Sequence, residues 1–296
     1  MQLGSETQAQ SAQRMYDSRA KAYDKSWHTP YASRFASYLA VVPGDTVLDL
    51  CCGTGLNAFA AAEQIGPSGR VIGVDISEAM LDLALQKQTA NQDLGKRCLF
   101  LKGDVIQLDD VFDAAGLDKH QRRFDWITCC SAFVLLDDPS AALAHWKQFL
   151  KDGGRMTVDV PHEHNLRSGV ILEKVAHRLG VRLPFNRSWV SSADSFANLA
   201  EAEGLEIEST AVIENVMGEK TLHYEVEEAD AQFDKIVQGS LLTNLTVDEF
   251  KERARPLFRE EWAKAAVDGK VEAADMLYLY VLRHTPNKGL QVDDTI

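Results

Sequence analysis

Nowhere do the 296 residues run apolar for the roughly 20 positions that a membrane-crossing helix needs. The opening MQLGSETQAQ is polar and lacks the apolar core of a signal peptide. Both absences lead us to expect a cytoplasmic protein without a membrane span. Cysteine is scarce: Cys51, Cys52, Cys98, Cys129 and Cys130 are the five present, and no Cys-x-x-Cys occurs. An odd number set beside apolar runs reads as reduced core thiols, not as a disulfide framework. A metal held between the two adjacent pairs is geometrically open, but the expectation is no metal. Positive charge is short as well, with 31 Lys and Arg against 44 Asp and Glu, a formal charge of −13. Such a surface repels phosphate backbones, so nucleic acid is not an expected partner. No internal repeat, low-complexity tract or interdomain linker interrupts the chain.

What is present centres on residues 46–80, TVLDLCCGTGLNAFAAAEQIGPSGRVIGVDISEAM. An apolar run over 47–50 ends in Cys51-Cys52-Gly53-Thr54-Gly55. A small-residue helix is expected over 56–65, then a Gly-Pro turn, then a second apolar run over 71–74 closed by Asp75. Two strands joined through a helix form a right-handed βαβ unit, and ligands of such sheets bind at the carboxyl ends of the strands. Gly53 and Gly55 let the backbone turn sharply and a ligand approach closely. Asp75 can accept hydrogen bonds from two ribose hydroxyls. The full Gly-x-Gly-x-x-Gly fingerprint fails, because Ala58 stands at the third position, and no lysine follows as in a phosphate loop. An adenosine ligand without a pyrophosphate fits better than NAD or ATP, which disfavours a dehydrogenase.

These residues resemble a known family. Asp49-Leu50-x-x-Gly53-Thr54-Gly55, followed by Asp75-Ile76-Ser77-x-x-Met80, is similar to the class I S-adenosylmethionine-dependent methyltransferases, in the ubiquinone and menaquinone biosynthesis branch. The resemblance implies an α/β, Rossmann-like, seven-stranded and mostly parallel sheet with helices on both faces. It implies S-adenosyl-L-methionine as cofactor, held by Asp49, Cys52, Gly53, Thr54, Gly55, Asp75, Ile76 and Met80. Asp104 would receive the adenine amino group and Val105 offer its amide to the ring. Cys130 and Ser131, after the fourth strand, would border the methionine part. Tyr16-Asp17 and Ala22-Tyr23-Asp24 look like the family's N-terminal lid, with Tyr23 closing over the cofactor.

Along the rest of the chain, helices are expected over 9–26 and 31–42, after a frayed tail over 1–10. Ser77 is placed as N-cap of a helix over 78–91. Further strands are expected over 98–101, 124–130, 156–160, 205–212 and 275–283, with Lys151 to Arg155 as the turn into the fifth. Arg167, Lys174, Arg178, Arg182 and Arg187 read as a solvated face. A long excursion over 214–270 exceeds any usual loop. It reads as an inserted helical cap with helices over 227–242 and 247–267, the second interrupted at Pro256. Phe233, Leu241, Phe250, Phe258 and Trp262 are expected to line an acceptor pocket or to hold the cap to the sheet. The chain thus divides into a lid (1–42), a core (43–213 and 271–285) and a cap (214–270).

The resemblance implies in-line methyl transfer to a small, apolar acceptor. His28, His162 and Tyr16 are the candidate bases, none with a strong signature; His162-Glu163-His164 reads first as a polar helix start. The segment YDSRAKAYD and the cap also resemble fungal secondary-metabolite methyltransferases that methylate dithiols, so thiol S-methylation is the preferred expectation. O- or C-methylation of a quinone or polyketide, and a regulator that binds the cofactor without turnover, are carried beside it.

Overall fold

The structure is a computed structural model and describes residues 6–238 and 248–285. Part of the expected N-terminal tail, 1–5, and Leu241 of the expected cap lie outside the described residues. Five apolar runs form parallel strands: β1 (Thr46–Leu50), β2 (Arg70–Asp75), β3 (Cys98–Lys102), β4 (Phe124–Cys129) and β5 (Leu150–Pro161). Their centres, such as Leu48, Ile72, Ile127 and Val158, are wholly buried, as crossover helices on both faces require. Then come β6 (Leu205–Glu214), a short pair β7 (Leu222–Glu225) and β8 (Lys270–Ala273), and β9 (Met276–His284). β9 inserts antiparallel between β5 and β6, giving a seven-stranded sheet in the order β3-β2-β1-β4-β5-β9-β6. Strand order reverses between β1 and β4, so the switch point lies over their carboxyl ends.

Helices fill both faces. Apolar residues of α2 (His28–Ala36), α3 (Leu56–Gln64) and α4 (Glu78–Ala90), followed by α5 (Gln92–Gly95), pack on one side. α6 (Leu108–Ala114), α7 (Pro139–Trp146) and α9 (Ala193–Ala202) pack on the other. Their starts are encoded locally: the Ser77 hydroxyl accepts from the Met80 amide at 3.2 Å, and Asp138 accepts from Ala141 at 3.0 Å ahead of Pro139. α1 (Gln8–Tyr23) is not frayed at its start. Thr7 and Gln10 exchange capping bonds of 3.2 and 2.9 Å.

Several boundaries differ from expectation. The helix expected at 31–42 begins at His28 and ends at Ala36. Lys151 to Arg155 is strand, not turn, because Gly153, at φ 73°, is accommodated within β5 while the register shifts opposite Phe124 and Trp126. α11 (Asp248–Lys264) runs through Pro256 without a break.

The cap region also differs. α8 (Arg167–Arg178) leaves the sheet to pack with α10 (Ala229–Val237) and α11. Phe233, Phe250, Phe258 and Trp262 are fully buried in this cluster, together with Val175 and Leu183. They form a core of their own, joined to the sheet core through Leu135, and line neither the main cavity nor the groove between α8 and α10. Arg187 is likewise no surface residue: it is buried beside the fully buried Glu173, 3.7 Å away.

Candidate functional site

A cavity of about 530 Å³ opens at the switch point. Its floor is the carboxyl ends of β1, β2 and β4, and its roof is α1. Tyr16 and Tyr23 enter from α1, and Gly53, Asp75 and Ile76 from the turns after β1 and β2. Asp104 and Val105 follow β3, and Cys130 and Ser131 follow β4. Leu135, Leu136 and His145 complete the far wall. Volumes of this order accommodate small-molecule ligands.

Asp75 fixes the floor. One carboxylate oxygen accepts from the Gly53 amide at 2.7 Å, the other from Ser77 at 2.8 Å. Each keeps a further acceptor position for a ligand. Burial pushes its carboxyl up to about 6. Gly53 turns at φ 54°, and Cys51 and Ser131, both on the cavity wall, adopt φ 54° and 57°, rare for residues with a Cβ. Gly55, at φ 80°, has a different task from close ligand approach. A Cβ there would meet Phe100 at 2.9 Å and Phe59 at 3.0 Å, so it permits packing of helix on strand.

The other expected cofactor residues lie beneath the cavity. Asp49 accepts from Asn57 and Thr128, both at 2.7 Å, tying α3 to β4. With Cys52 it faces a pocket of about 20 Å³ behind Tyr23, not the main cavity. Thr54 donates to Asp24 at 2.5 Å, and Met80 is buried on α4. Of the candidate bases, only Tyr16 lines the cavity; burial raises its phenol to about 12, and the Arg19 guanidinium lies 5.4 Å from its ring centre. His28 is stacked between Trp27 and Tyr23, at centroid distances of 3.8 and 4.0 Å, and burial lowers it to about 3. His162 stands apart, its ring tilted against that of Tyr278 at a centroid distance of 4.8 Å and accepting from the His164 amide at 3.2 Å. Among the described residues no group of His, Cys, Asp and Glu could hold a metal.

Two acids read from the sequence only as part of the lid pattern, Asp17 and Asp24, and a third not singled out at all, Asp159, have tasks at the site. Asp17 accepts from the Ser77 hydroxyl at 2.6 Å, and Asp24 pairs with Lys87 at 2.5 Å besides holding Thr54. Together they clamp α1 over the cavity. The signal was the repeated Tyr-Asp, at 16–17 and 23–24, two helical turns apart. Asp159, on β5, accepts from the Ser131 amide at 2.7 Å and the Tyr31 hydroxyl at 2.5 Å. Asp49, Asp75 and Asp159 are all buried, and among the described residues none forms an ion pair with a basic side chain.

Fold and cavity together define a class: an open α/β sheet with a ligand site at its switch point. The chain belongs to the methyltransferase domain family, whose model matches residues 42–230. It is 41% identical over 101 residues to a demethylmenaquinone methyltransferase of Lactobacillus johnsonii, covering 33% of this chain and 41% of that one. It is 31% identical over 149 residues to an aklanonic acid methyltransferase of a Streptomyces species, covering 49% and 63%. The chain thus spans about half the length of the curated relatives it matches. A phosphoethanolamine N-methyltransferase of Haemonchus contortus shares the fold at TM-score 0.55 and 16% identity, over 95% of this chain and 61% of that one.

Proposed function

We propose that the chain transfers a methyl group from S-adenosyl-L-methionine to a small, largely apolar acceptor. The observation that carries this is Asp75: a buried carboxylate at the end of β2, bonded to the glycine turn and facing the cavity. The residues present fit the cofactor. Asp75 offers acceptors to ribose hydroxyls, Asp104 an acceptor to an adenine amino group, and Val105 an amide to the ring. The buried acids fit a ligand with net positive charge. When bound, the cofactor supplies an electrophilic methyl whose bond to sulfur breaks, leaving its electron pair on sulfur, as the acceptor's lone pair forms the new bond. The chain's part is to hold donor and acceptor in line and to exclude water, with α1 as lid.

The acceptor atom we propose is sulfur. His28, lowered to about 3, and Tyr16, raised to about 12, are both poor bases near neutral pH. A thiol, with an ordinary pKa of about 8.5, needs the least help in losing its proton. O- or C-methylation of a quinol or polyketide is the second reading, favoured by the substrates named for the two curated relatives. Mass spectrometry after incubation with cofactor and dithiol, phenol or quinol acceptors tests both. Methyl gain on the dithiol alone is expected. Gain only on phenol or quinol moves the acceptor to the second class. No gain on any acceptor, with cofactor binding intact, contradicts a transferase.

A further inference from the structure

In Met156-Thr157-Val158-Asp159-Val160, the inner stretch of β5, one acid interrupts a run that is otherwise buried and uncharged. Asp159 is 2% exposed. What faces it can be enumerated by element. From α2 comes the Tyr31 hydroxyl, which bonds it. After β4 come the Ser131 amide and the Cys130 thiol, both on the cavity wall. Across the sheet on β9 its register partner is Leu279. Arg34, the nearest basic residue along α2, instead donates to the carbonyls of Glu214 and Asn215 at 2.9 and 3.2 Å. Hydrogen bonds from Tyr31, Ser131 and Cys130 favour the carboxylate but supply no positive charge, and buried charges ordinarily have a partner of opposite sign. The carboxylate is thus bonded directly to a segment that lines the cavity.

We propose that Asp159 is a positioning residue that supplies the counter-charge for the sulfonium of the bound donor, so that the site prefers the charged donor over its neutral thioether product. The proposal rests on the reading of the cavity as an S-adenosylmethionine site. A fixed negative charge beneath a water-poor site attracts a cation more strongly than it would in solution. The two ligands differ by that one charge, so the ratio of their affinities reports the field of Asp159 while shape and hydrogen bonding cancel. The positive charge is dispersed as the methyl leaves, so this attraction aids binding more than the chemical step. Independently, burial raises the carboxyl of Asp159 to about 7, so its charge, and the preference with it, is expected to fade as pH falls from 8 to 5.5.

The test is calorimetric titration of the full chain with S-adenosylmethionine and S-adenosylhomocysteine at pH 8 and pH 5.5. In Asp159→Asn the side chain can still accept from Ser131 and can donate to the Tyr31 oxygen, so the charge alone is removed. At pH 8 this variant is expected to bind the donor about tenfold more weakly and the product within about twofold of wild type. Its affinity ratio should also vary less with pH than that of wild type, the remaining variation coming from the other titratable groups of the site, Asp49, Asp75, Asp104, Asp137, Asp138 and His145. Tyr31→Phe keeps the carboxylate but removes a donor that favours its charged form, so the preference should fade at a higher pH than in wild type. That variant carries the test if Asp159→Asn does not fold. Equal weakening of both ligands would show a purely structural residue and overturn the proposal, as would an unchanged ratio. If wild type binds neither ligand, the site reading itself fails and takes the proposal with it.

Discussion

Asp75 and Asp159 show how much one residue's meaning depends on what folds against it. Asp75 was legible because its task is local: a strand end, a glycine turn 22 residues earlier, and a helix N-terminus beside it. Asp159 was not, because its partners Tyr31 and Ser131 lie 128 and 28 residues away. Asp17 and Asp24 were noticed only as part of a lid pattern, for the same reason. The buried acids also leave a signature in stability. Asp159 ionises at about 7 in the folded chain against an ordinary 3.8, so the unfolded chain gives up its proton first. Its contribution to stability is full below pH of about 4, shrinks as pH rises through about 7, and is level above that. Asp159→Asn has no charge to bury. Thermal melting of the ligand-free proteins should therefore show the variant gaining on wild type between pH 5 and 7 and holding a constant lead at higher pH. A lead that narrows with rising pH would contradict the burial of an unpaired charge.

At the level of elements, the sheet was readable and the cap was not. Strands buried on both faces appear as unbroken apolar runs between turn residues, and so β1 to β4 were visible within a residue or two. The β7–β8 pair was missed because it is short and largely exposed, with no alternation to reveal it. The aromatic residues of α10 and α11 presented a different difficulty. A pocket wall and a small private core demand the same residue types, and only packing distinguishes them. Phe258 lies against Phe233 and Trp262, at centroid distances of 5.4 and 5.7 Å, and is not among the residues that line the main cavity. Phe258→Ala should therefore destabilise the chain by about 3–5 kcal/mol in denaturant unfolding. Cofactor affinity, measured below the new unfolding transition, should stay within about twofold. A matching collapse of affinity would mean that the cap core supports the cofactor site directly.

The whole molecule combines an acidic surface, a net charge of −13, with a cavity that carries further buried acid at its floor. The sheet order places β1, β2 and β4 side by side, so the glycine turn, Asp75 and Ser131 meet although they are spread over some eighty residues. Composition excluded nucleic acid as an expected partner, and the βαβ stretch indicated the donor. The acceptor stayed illegible because no local pattern encodes a cavity wall assembled from α1 and the segments after β3 and β4, which are far apart in the chain. The central claim, that the cavity receives S-adenosylmethionine through Asp75, is tested most directly by titrating S-adenosylmethionine into the full chain, with NAD in parallel and Asp75→Ala as the comparison. Saturable binding of S-adenosylmethionine, none of NAD, and at least about a tenfold loss in Asp75→Ala are predicted, since hydrogen bonds to a charged acceptor contribute about 1.5–3 kcal/mol each. No binding of S-adenosylmethionine, or an unchanged affinity in Asp75→Ala, would contradict it.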